Sequence, residues 1–222
     1  MSQGGYVTLV GFVAQDPNIR TTTTGKLVTK VRVGATPRFR DSATGQWRDA
    51  ETSYYNVSCW SRLADHVDLW LVHWPPRGRN LVPLWRDFLA IRDEGLTRAL
   101  GVSNYSVRQI DDLIAATGER PAVNQIPWSP SRYDAALLAA HADRGVAVEG
   151  YSPLKGTRLR DRTLAEIAAK YGVTPAQVVL RWHIDIGVIV IPRSARPERI
   201  EQNYDIFGFS LTPEEVARLN NL

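Results

Sequence analysis

Two groups of residues in this chain could take part in chemistry. His73 stands in an apolar run, Asp68–Pro76 ("DLWLVHWPP"), that ends at a double proline. A histidine exchanges protons near neutral pH, but without partner side chains a lone histidine on a buried strand is more often a satisfied core residue. Arg193, Ser194 and Arg199 stand beside a predicted helix start ("RSARPERIEQN"), where they offer charge-assisted and backbone hydrogen-bond donors to a dianion. The alternative for the two arginines is a solvated surface.

The elements that must position these residues alternate from about residue 68 onwards. Short apolar runs occur at "DLWLVHW", "RALGVSN", "AVNQIPW", "VAVEGYS" and "GVIVIPRS", and helical stretches such as "VRQIDDLIAATG", "DAALLAAHADRG" and "RTLAEIAAKYG" lie between them. Thr174 before Pro175 predicts a capped helix start, and Thr212 with Glu215 predicts a capping box. This alternation predicts an α/β fold of about five β/α units, with a parallel sheet and helices outside it.

The first sixty residues instead have the pattern of strands. "YVTLVGFVA" (Tyr6–Ala14) is rich in β-branched and aromatic residues, and we expect "DPN" to break that strand. "GKLVTKVRVGATP" and "SYYNVSCW" alternate between apolar and polar residues, and a loop with Gly45 separates them. Tyr54 and Trp60 share one face of their strand with polar side chains. Aromatic residues on such a face favour a ligand or partner surface.

Composition limits the class of protein. The chain has 222 residues, 44% of them hydrophobic, which is enough for a sizeable core. The single cysteine, Cys59, excludes an internal disulfide and fits a reducing compartment. The net charge is +4, and its excess in the first third weakly favours an anionic partner there, with a solvated face as the alternative. We see no signal-peptide pattern or membrane-spanning run, so we expect a soluble, cytoplasmic protein, and we assign no metal ligands.

Five motifs in order, "DLWLVHWP", "GVSNY", "NQIPWSP", "YSPL" and "IPRSARPERIEQN", make residues 61–222 closely resemble the aldo-keto reductases. Those enzymes are eight-stranded β/α-barrels that transfer hydride from NADPH to a carbonyl. The resemblance implies that His73 polarises the carbonyl at the carboxyl end of its strand. It implies these cofactor contacts: Ser103, Asn104 and Gln125 on the carboxamide, Tyr151 stacked on the nicotinamide, Ser152 and Leu154 along the pyrophosphate, and Arg193, Ser194, Arg199 and Asn203 on the 2′-phosphate.

The same resemblance implies a tyrosine proton donor tuned by a lysine and an aspartate. Asp49 and Tyr54 stand five residues apart, which is the spacing of the aspartate and tyrosine in that family. No lysine lies between Tyr54 and His73, and the base found there, Arg62, does not exchange protons near neutral pH. We therefore expect little or no reductase activity, with His73 as a vestigial catalytic residue and Asp49 and Tyr54 as weak candidates.

Residues 5–66 resemble the opening half of a bacterial single-stranded-DNA-binding protein, an OB-fold. The motifs are "YVTLVGFVAQDPNIR", "GATPRFRDSATGQWRD" and "TSYYNVSCWSRLAD". In that family aromatic side chains stack on bases and cations follow the phosphates. A complete OB-fold has five strands, and this segment supplies three. The resemblance implies that Phe39, Tyr54 and Trp60 stack on bases and that Arg20, Lys30, Arg32, Arg38 and Arg40 form a cationic track.

These observations lead to an interpretation of the chain as a recombined or engineered fusion. Residues 1–66 would be an incomplete, antiparallel OB-derived β segment, and residues 67–222 part of a (β/α)8-type barrel with a residual NADPH-binding surface. No flexible linker separates them, so we expect the two parts to share one core. The alternatives are single-stranded DNA binding through the first part, or a folded hybrid without biochemical function. Exposed strand edges also predict self-association.

Overall fold

The structure divides into two compact units, Met1–Val67 and Asp68–Leu222. The computed structural model describes residues 12–21, 27–35, 38–40, 47–49, 53–60, 67–76 and 80–222. Side chains are described for residues 68–76 and 80–222. The expectation that the two parts share one core stays a prediction.

The first unit contains antiparallel strands in the order β1-β2-β5 and a separate pair, β3-β4. Apolar and polar residues alternate along β2 and β5, as the sequence predicts, and Val31 lies opposite Val57 in the register of that pair. Because a strand alternates its side chains between two faces, this pattern suits a sheet with one apolar face. The strands are β1 (Phe12–Thr21), β2 (Leu27–Ala35), β3 (Arg38–Arg40), β4 (Trp47–Asp49) and β5 (Ser53–Trp60).

The prediction that Asp16, Pro17 and Asn18 break the first strand is wrong. Strand β1 runs through them, and its register against β2 shifts between Gln15 and Asn18. An antiparallel pair can absorb extra residues as a bulge, and a bulge is one of the few places where a strand accepts proline. Residues 6–11 of the predicted strand lie outside the described residues.

The predicted OB-derived segment is not supported. The described strands of this unit form one three-stranded and one two-stranded sheet, whereas an OB-fold is a five-stranded barrel. The side chains on which the predicted roles in this unit depend lie outside the described part of the chain. On the backbone, β1 carries Arg20, β2 carries Lys30 and Arg32, β3 carries Arg38, Phe39 and Arg40, β4 carries Asp49, and β5 carries Tyr54 and Trp60.

The second unit confirms the predicted α/β fold with a parallel sheet. Its five strands lie in the order β10-β9-β8-β7-β6, so that strands consecutive in the chain are neighbours in the sheet. All five predicted apolar runs form strands of this sheet. The elements are β6 (Val67–Val72), α1 (Val82–Asp93), β7 (Thr97–Ser103), α2 (Val107–Thr117), β8 (Val123–Pro127), α3 (Ala135–Asp143), β9 (Ala147–Tyr151), α4 (Arg162–Tyr171), α5 (Pro175–Asp185), β10 (Ile189–Ile191), α6 (Pro197–Tyr204) and α7 (Pro213–Leu219).

Both predicted helix starts are confirmed. The Thr174 hydroxyl accepts a hydrogen bond from the Gln177 backbone N–H at 3.3 Å, and the Gln177 side chain accepts from the Thr174 N–H at 2.9 Å. Thr212 and Glu215 form the same reciprocal pair at the start of α7. Each box satisfies two backbone donors that a helix start would otherwise leave without partners.

Two apolar clusters join the helices to the sheet. One contains Trp182 of α5 and Ile167 of α4 against Val148 of β9. The other contains Trp85 of α1 and Ile110 of α2 together with strand residues of β6 and β7. Parallel sheets are stable when helices cover them, and these clusters provide that cover. Within the described part of the chain, no helix has the length and apolarity needed to cross a membrane.

Gly101 of β7 lies where the neighbouring strands leave no room for a side chain. A Cβ there would meet the Leu71 side chain, Val123 Cγ2 at 2.7 Å and the Val123 carbonyl oxygen at 3.0 Å. The carbonyl belongs to the backbone of β8 and cannot move without disturbing the sheet.

We therefore expect Gly101→Ala to lower the free energy of unfolding by about 1–3 kcal/mol, because overpacking displaces a strand. Urea unfolding measures the change. Gly208→Ala is the control, since its new Cβ has no described residue within 4 Å apart from its chain neighbours, and it should change stability by no more than about 0.5 kcal/mol. An equal loss of stability in both variants would contradict the conclusion that β7 has no room for a side chain at residue 101.

Candidate active site

The sequence-predicted site residues gather at one edge of the parallel sheet. His73 directly follows β6, and Ser103 and Asn104 stand at the end of β7. Gln125 lies in β8 and Tyr151 ends β9. Parallel strands bring their carboxyl ends to the same edge, which is where β/α enzymes place their functional residues.

Asn104 is the centre of a hydrogen-bond network at this edge. Its Nδ2 donates to the Ser103 hydroxyl at 2.9 Å and to the His73 carbonyl oxygen at 3.2 Å. Its Oδ1 accepts from the Tyr151 hydroxyl at 2.9 Å, and its backbone N–H donates to the Gln125 carbonyl at 2.9 Å. One side chain and its backbone therefore connect residues from four neighbouring strands.

The backbone at two of the predicted positions is unusual. Asn104 has φ of 62° and Ser152 has φ of 54°, and among the described residues these two alone combine a positive φ with a side chain. Asparagine tolerates the left-handed region better than most residues, whereas serine is less common there. Such conformations persist where the surroundings enforce them, and they concentrate at ligand-binding sites.

Gln125 extends the network to a buried carboxylate that the sequence analysis missed. Its Nε2 donates to Glu149 Oε1 at 3.0 Å across the pair β8 and β9, and Glu149 is buried. The signal was present in the sequence, since a charged residue inside the apolar run "VAVEGYS" needs a partner. Gln125 keeps its carbonyl oxygen and one N–H for a ligand.

Burial raises the pKa of the Tyr151 phenol above its usual value, although the positive charge of Arg132 opposes this effect. The protonated hydroxyl donates its hydrogen bond to Asn104 Oδ1. Burial also raises the pKa of Tyr105, the residue after Asn104, to about 12.

The imidazole of His73 is exposed at the open side of this edge. It lies beside Trp74, with 6.2 Å between the ring centroids, and Trp74 is 58% exposed. Its ring makes no hydrogen bond with the residues whose side chains the structure describes. The exposure of His73 excludes a buried core histidine, which the sequence left as an alternative. The side chains of Asp49 and Tyr54 lie outside the described residues.

A cavity of about 260 Å³ opens next to the network, between the loop after β9 and the end of β10. It brings together four predicted cofactor residues. Lys155 is a cation in its wall that the sequence analysis did not name. The lining residues are Ser152, Pro153, Leu154, Lys155, Ile191, Pro192, Arg193 and Asn203.

Two predicted residues lie outside that wall. Ser194 accepts a hydrogen bond from the Arg196 N–H at 3.1 Å, and Arg199 is exposed in the first turn of α6. Helix α6 follows its N-cap residue Arg196 and has no side-chain cap. Pro197 has no N–H, and the Arg199 N–H donates to the Arg196 carbonyl oxygen at 3.1 Å, so the Glu198 N–H is the donor that the first turn offers to an anion. Two cations in or beside the cavity, Lys155 and Arg193, complete a set of donors that suits a phosphorylated ligand.

A larger cavity, about 860 Å³, lies at the opposite ends of the strands. Its charged residues are mostly paired with one another. Arg144 binds both carboxylate oxygens of Asp111, and Arg92 binds Glu119. These pairs lower the pKa of both carboxyl groups. The unusual backbone and the exposed histidine are both at the other edge, which we take as the functional one.

His183 of α5 contacts the backbone just after β8, close to this edge of the sheet. It is fully buried, and its two ring nitrogens lie 2.7 Å from the Val179 carbonyl oxygen and 3.2 Å from that of Trp128, just after β8. Burial lowers the pKa of His183 below its ordinary value of 6.5. The two carbonyl contacts oppose this effect in part, and the net result is that the folded chain binds a proton at His183 less readily than the unfolded chain does.

Because the pKa of His183 is lower in the folded chain than in the unfolded chain, where it is about 6.5, protonation of His183 should make stability fall as the pH drops below that value. Urea unfolding at about pH 7.5 and about pH 5.5 tests this, with a slope of at most about 1.4 kcal/mol per pH unit for one group. The difference in free energy of unfolding between the two pH values should be smaller in His183→Gln than in the wild type, because glutamine does not titrate. A His183 imidazole NMR signal that titrates near its ordinary pKa would refute the assignment.

The model of the aldo/keto reductase family matches residues 27–222. An aldo-keto reductase of Mycolicibacterium smegmatis is 41% identical over 179 residues, which is 80% of this chain and 65% of that protein. The 2,5-diketo-D-gluconic acid reductase B of a Corynebacterium species is 44% identical over 161 residues, 71% of this chain and 58% of that protein. This chain thus spans less than two thirds of the length of either relative.

Among solved structures, the aldo-keto reductase of Bombyx mori in complex with NADP is similar with a TM-score of 0.66 and 37% identity. The similarity covers 70% of this chain and 57% of that one.

The interpretation of the chain as a fusion is wrong. The family match begins at residue 27 and takes in the predicted junction near residue 66. The change in residue pattern there marks a change from antiparallel strands to β/α units within the matched span, and not a boundary between two parent proteins. Both alternatives, single-stranded DNA binding and a hybrid without biochemical function, fall with it. The stacking roles of Phe39, Tyr54 and Trp60 fall too.

Proposed function

This chain belongs to the aldo/keto reductase family, and on that premise we propose that it binds NADP(H) along the carboxyl edge of its parallel sheet and reduces a carbonyl group held beside His73. The observation that carries the proposal is the network around Asn104. It joins the predicted nicotinamide contacts from neighbouring strands, next to a cavity with cationic walls.

The nicotinamide end of the cofactor would lie on the network. A carboxamide needs both a donor and an acceptor, and Gln125 retains one of each after its bond to Glu149. Ser103 and Asn104 would complete this contact, and the ring of Tyr151 would stack on the nicotinamide. Since the Tyr151 hydroxyl is bonded to Asn104, the orientation of that ring is already set before a ligand arrives.

The phosphates would lie in and beside the smaller cavity. Lys155 and Arg193 supply positive charge, and Ser152 and Asn203 supply polar side chains. Arg199 and Ser194, at the start of α6, would bind the 2′-phosphate that distinguishes NADPH from NADH. A guanidinium group binds phosphate through paired, charge-assisted hydrogen bonds, which gives both affinity and selectivity.

Carbonyl reduction requires a hydride on carbon and a proton on oxygen, and NADPH supplies the hydride when bound. His73, exposed at the end of β6, would donate a hydrogen bond to the carbonyl oxygen and stabilise the negative charge that develops on it. A general acid would donate the proton that completes the alcohol.

Cofactor binding is tested by titrating NADPH against the intrinsic tryptophan fluorescence. Asn104→Gly keeps the left-handed backbone but removes the side chain, and we expect the Kd to rise by about 10-fold or more through lost hydrogen bonds. Arg199→Ala should weaken NADPH binding by a similar factor while leaving NADH binding unchanged. Arg108→Ala, an exposed arginine on α2, is the matched control. No quenching of the wild type at millimolar NADPH would refute the proposal.

Turnover is tested by following NADPH oxidation with a reactive aldehyde. Loss of a polarising group or of a general acid lowers the rate by about 10²–10⁴-fold. We expect His73→Ala to reduce kcat by such a factor. Its NADPH affinity, measured in parallel, should stay within about twofold of the wild type, because the substitution removes no predicted cofactor contact. Activity that survives the substitution would assign the chemistry to other residues.

A further inference from the structure

Two buried polar residues lie beneath the network and have no part in the proposed chemistry. Asn124 of β8 is 0% exposed and His141 of α3 is 1% exposed. Buried polar side chains are costly unless they are fully hydrogen-bonded, and these two are bonded to each other. The Asn124 Nδ2 atom lies 2.9 Å from His141 Nε2.

Asn124 binds both backbone groups of Tyr105, the residue directly after Asn104. Its Nδ2 donates to the Tyr105 carbonyl oxygen at 2.8 Å, and its Oδ1 accepts from the Tyr105 N–H at 3.4 Å. A side chain that pairs with both groups of one residue fixes the peptide planes on either side of it. One of those planes is the peptide that joins Asn104 to Tyr105.

His141 determines which way the Asn124 amide points. The His141 Nδ1 atom lies 2.8 Å from the Leu137 carbonyl oxygen, which can only accept, so Nδ1 carries the proton. In a neutral ring the Nε2 atom then has a lone pair, and it accepts the second N–H of Asn124. A reversed amide would set its oxygen against this lone pair and against the Tyr105 carbonyl.

We propose that Asn124 and His141 are positioning residues that hold Asn104 in its left-handed conformation, and so set the affinity of the site for the nicotinamide end of the cofactor. The chain of contacts runs from the Leu137 carbonyl through His141 and Asn124 to the Tyr105 backbone. It ends at Asn104, whose φ is 62°. The part of the inference that concerns affinity rests on the proposed function, whereas the part that concerns the backbone does not.

The test uses three variants of the full chain. Asn124→Leu keeps the size of the side chain and removes all its hydrogen bonds. His141→Phe removes the acceptor for Asn124, and His141→Gln restores an acceptor at the position of Nε2. Leu113→Ala is the control, because Leu113 packs in the same apolar cluster as Tyr105 and has no polar link to it.

The first readout is hydrogen exchange of the Tyr105 amide without cofactor. Losing one net hydrogen bond corresponds to about a tenfold change in an equilibrium. We expect exchange to be about tenfold faster in Asn124→Leu and His141→Phe than in Leu113→Ala, and close to the wild type in His141→Gln. Should Asn124→Leu fail to fold, the two His141 variants decide the question.

The second readout is the Kd for NADPH, which should rise about tenfold in the same two variants and recover in His141→Gln. Exchange rates that match those of Leu113→Ala would overturn the positioning role. The positioning role would also be overturned if exchange of the Tyr105 amide were faster in His141→Phe and equally fast in His141→Gln. If the wild type does not bind NADPH, the proposed function fails, and with it the inference on affinity, while the exchange rates still decide whether Asn124 and His141 hold the backbone.

Discussion

The hydrogen bonds of Asn104 hold together the edge of the sheet on which every proposed contact depends. The residue occupies a backbone conformation that most side chains avoid, and it contacts residues from the ends of four strands. Without this side chain, the Tyr151 hydroxyl would lose its acceptor and the Ser103 hydroxyl one of its partners. The arrangement of the site is therefore a property of the network and not of any one predicted contact.

The sheet that carries the site is closely packed against the helix behind it, which restricts movement of the network. Gly150 of β9 illustrates this, since a Cβ there would lie 2.9 Å from Trp128 Cβ and 3.3 Å from His183 Cδ2. The same two residues are joined by the contact between the His183 imidazole and the Trp128 carbonyl. Strand β9 and helix α5 are thus in direct contact immediately behind Tyr151.

The sequence predicts the second unit well because its signals are local. Apolar runs of strand length, the capping pairs at Thr174 and Thr212, and the order of the motifs each depend on residues close together in the chain. Glu149, Asn124 and His141 were missed because their importance comes from partners 17 to 24 residues away. A single sequence does not show that His141 lies beside Asn124, and Glu149 appears simply as one charge in an apolar strand.

The errors in the first unit have a similar cause. The run through Asp16, Pro17 and Asn18 predicts the end of a strand, yet pairing with β2 carries the strand through it. The change of pattern near residue 66 predicts a junction between two proteins, yet one family match spans it. Local patterns predict whether a segment forms a strand or a helix. They do not show whether neighbouring segments with different patterns belong to the same protein family.

The order of strands in the second unit has a consequence for how the chain reaches this structure. Each strand lies beside the one made just before it, so closing each contact requires a connection of one helix and its turns, or of two helices between β9 and β10. Contacts that are close in sequence form quickly, and domains form as units while the chain is being synthesised from its amino end. Each helix can cover its strand on the ribosome before the next strand emerges, which shortens the time that bare apolar edges are exposed to other nascent chains.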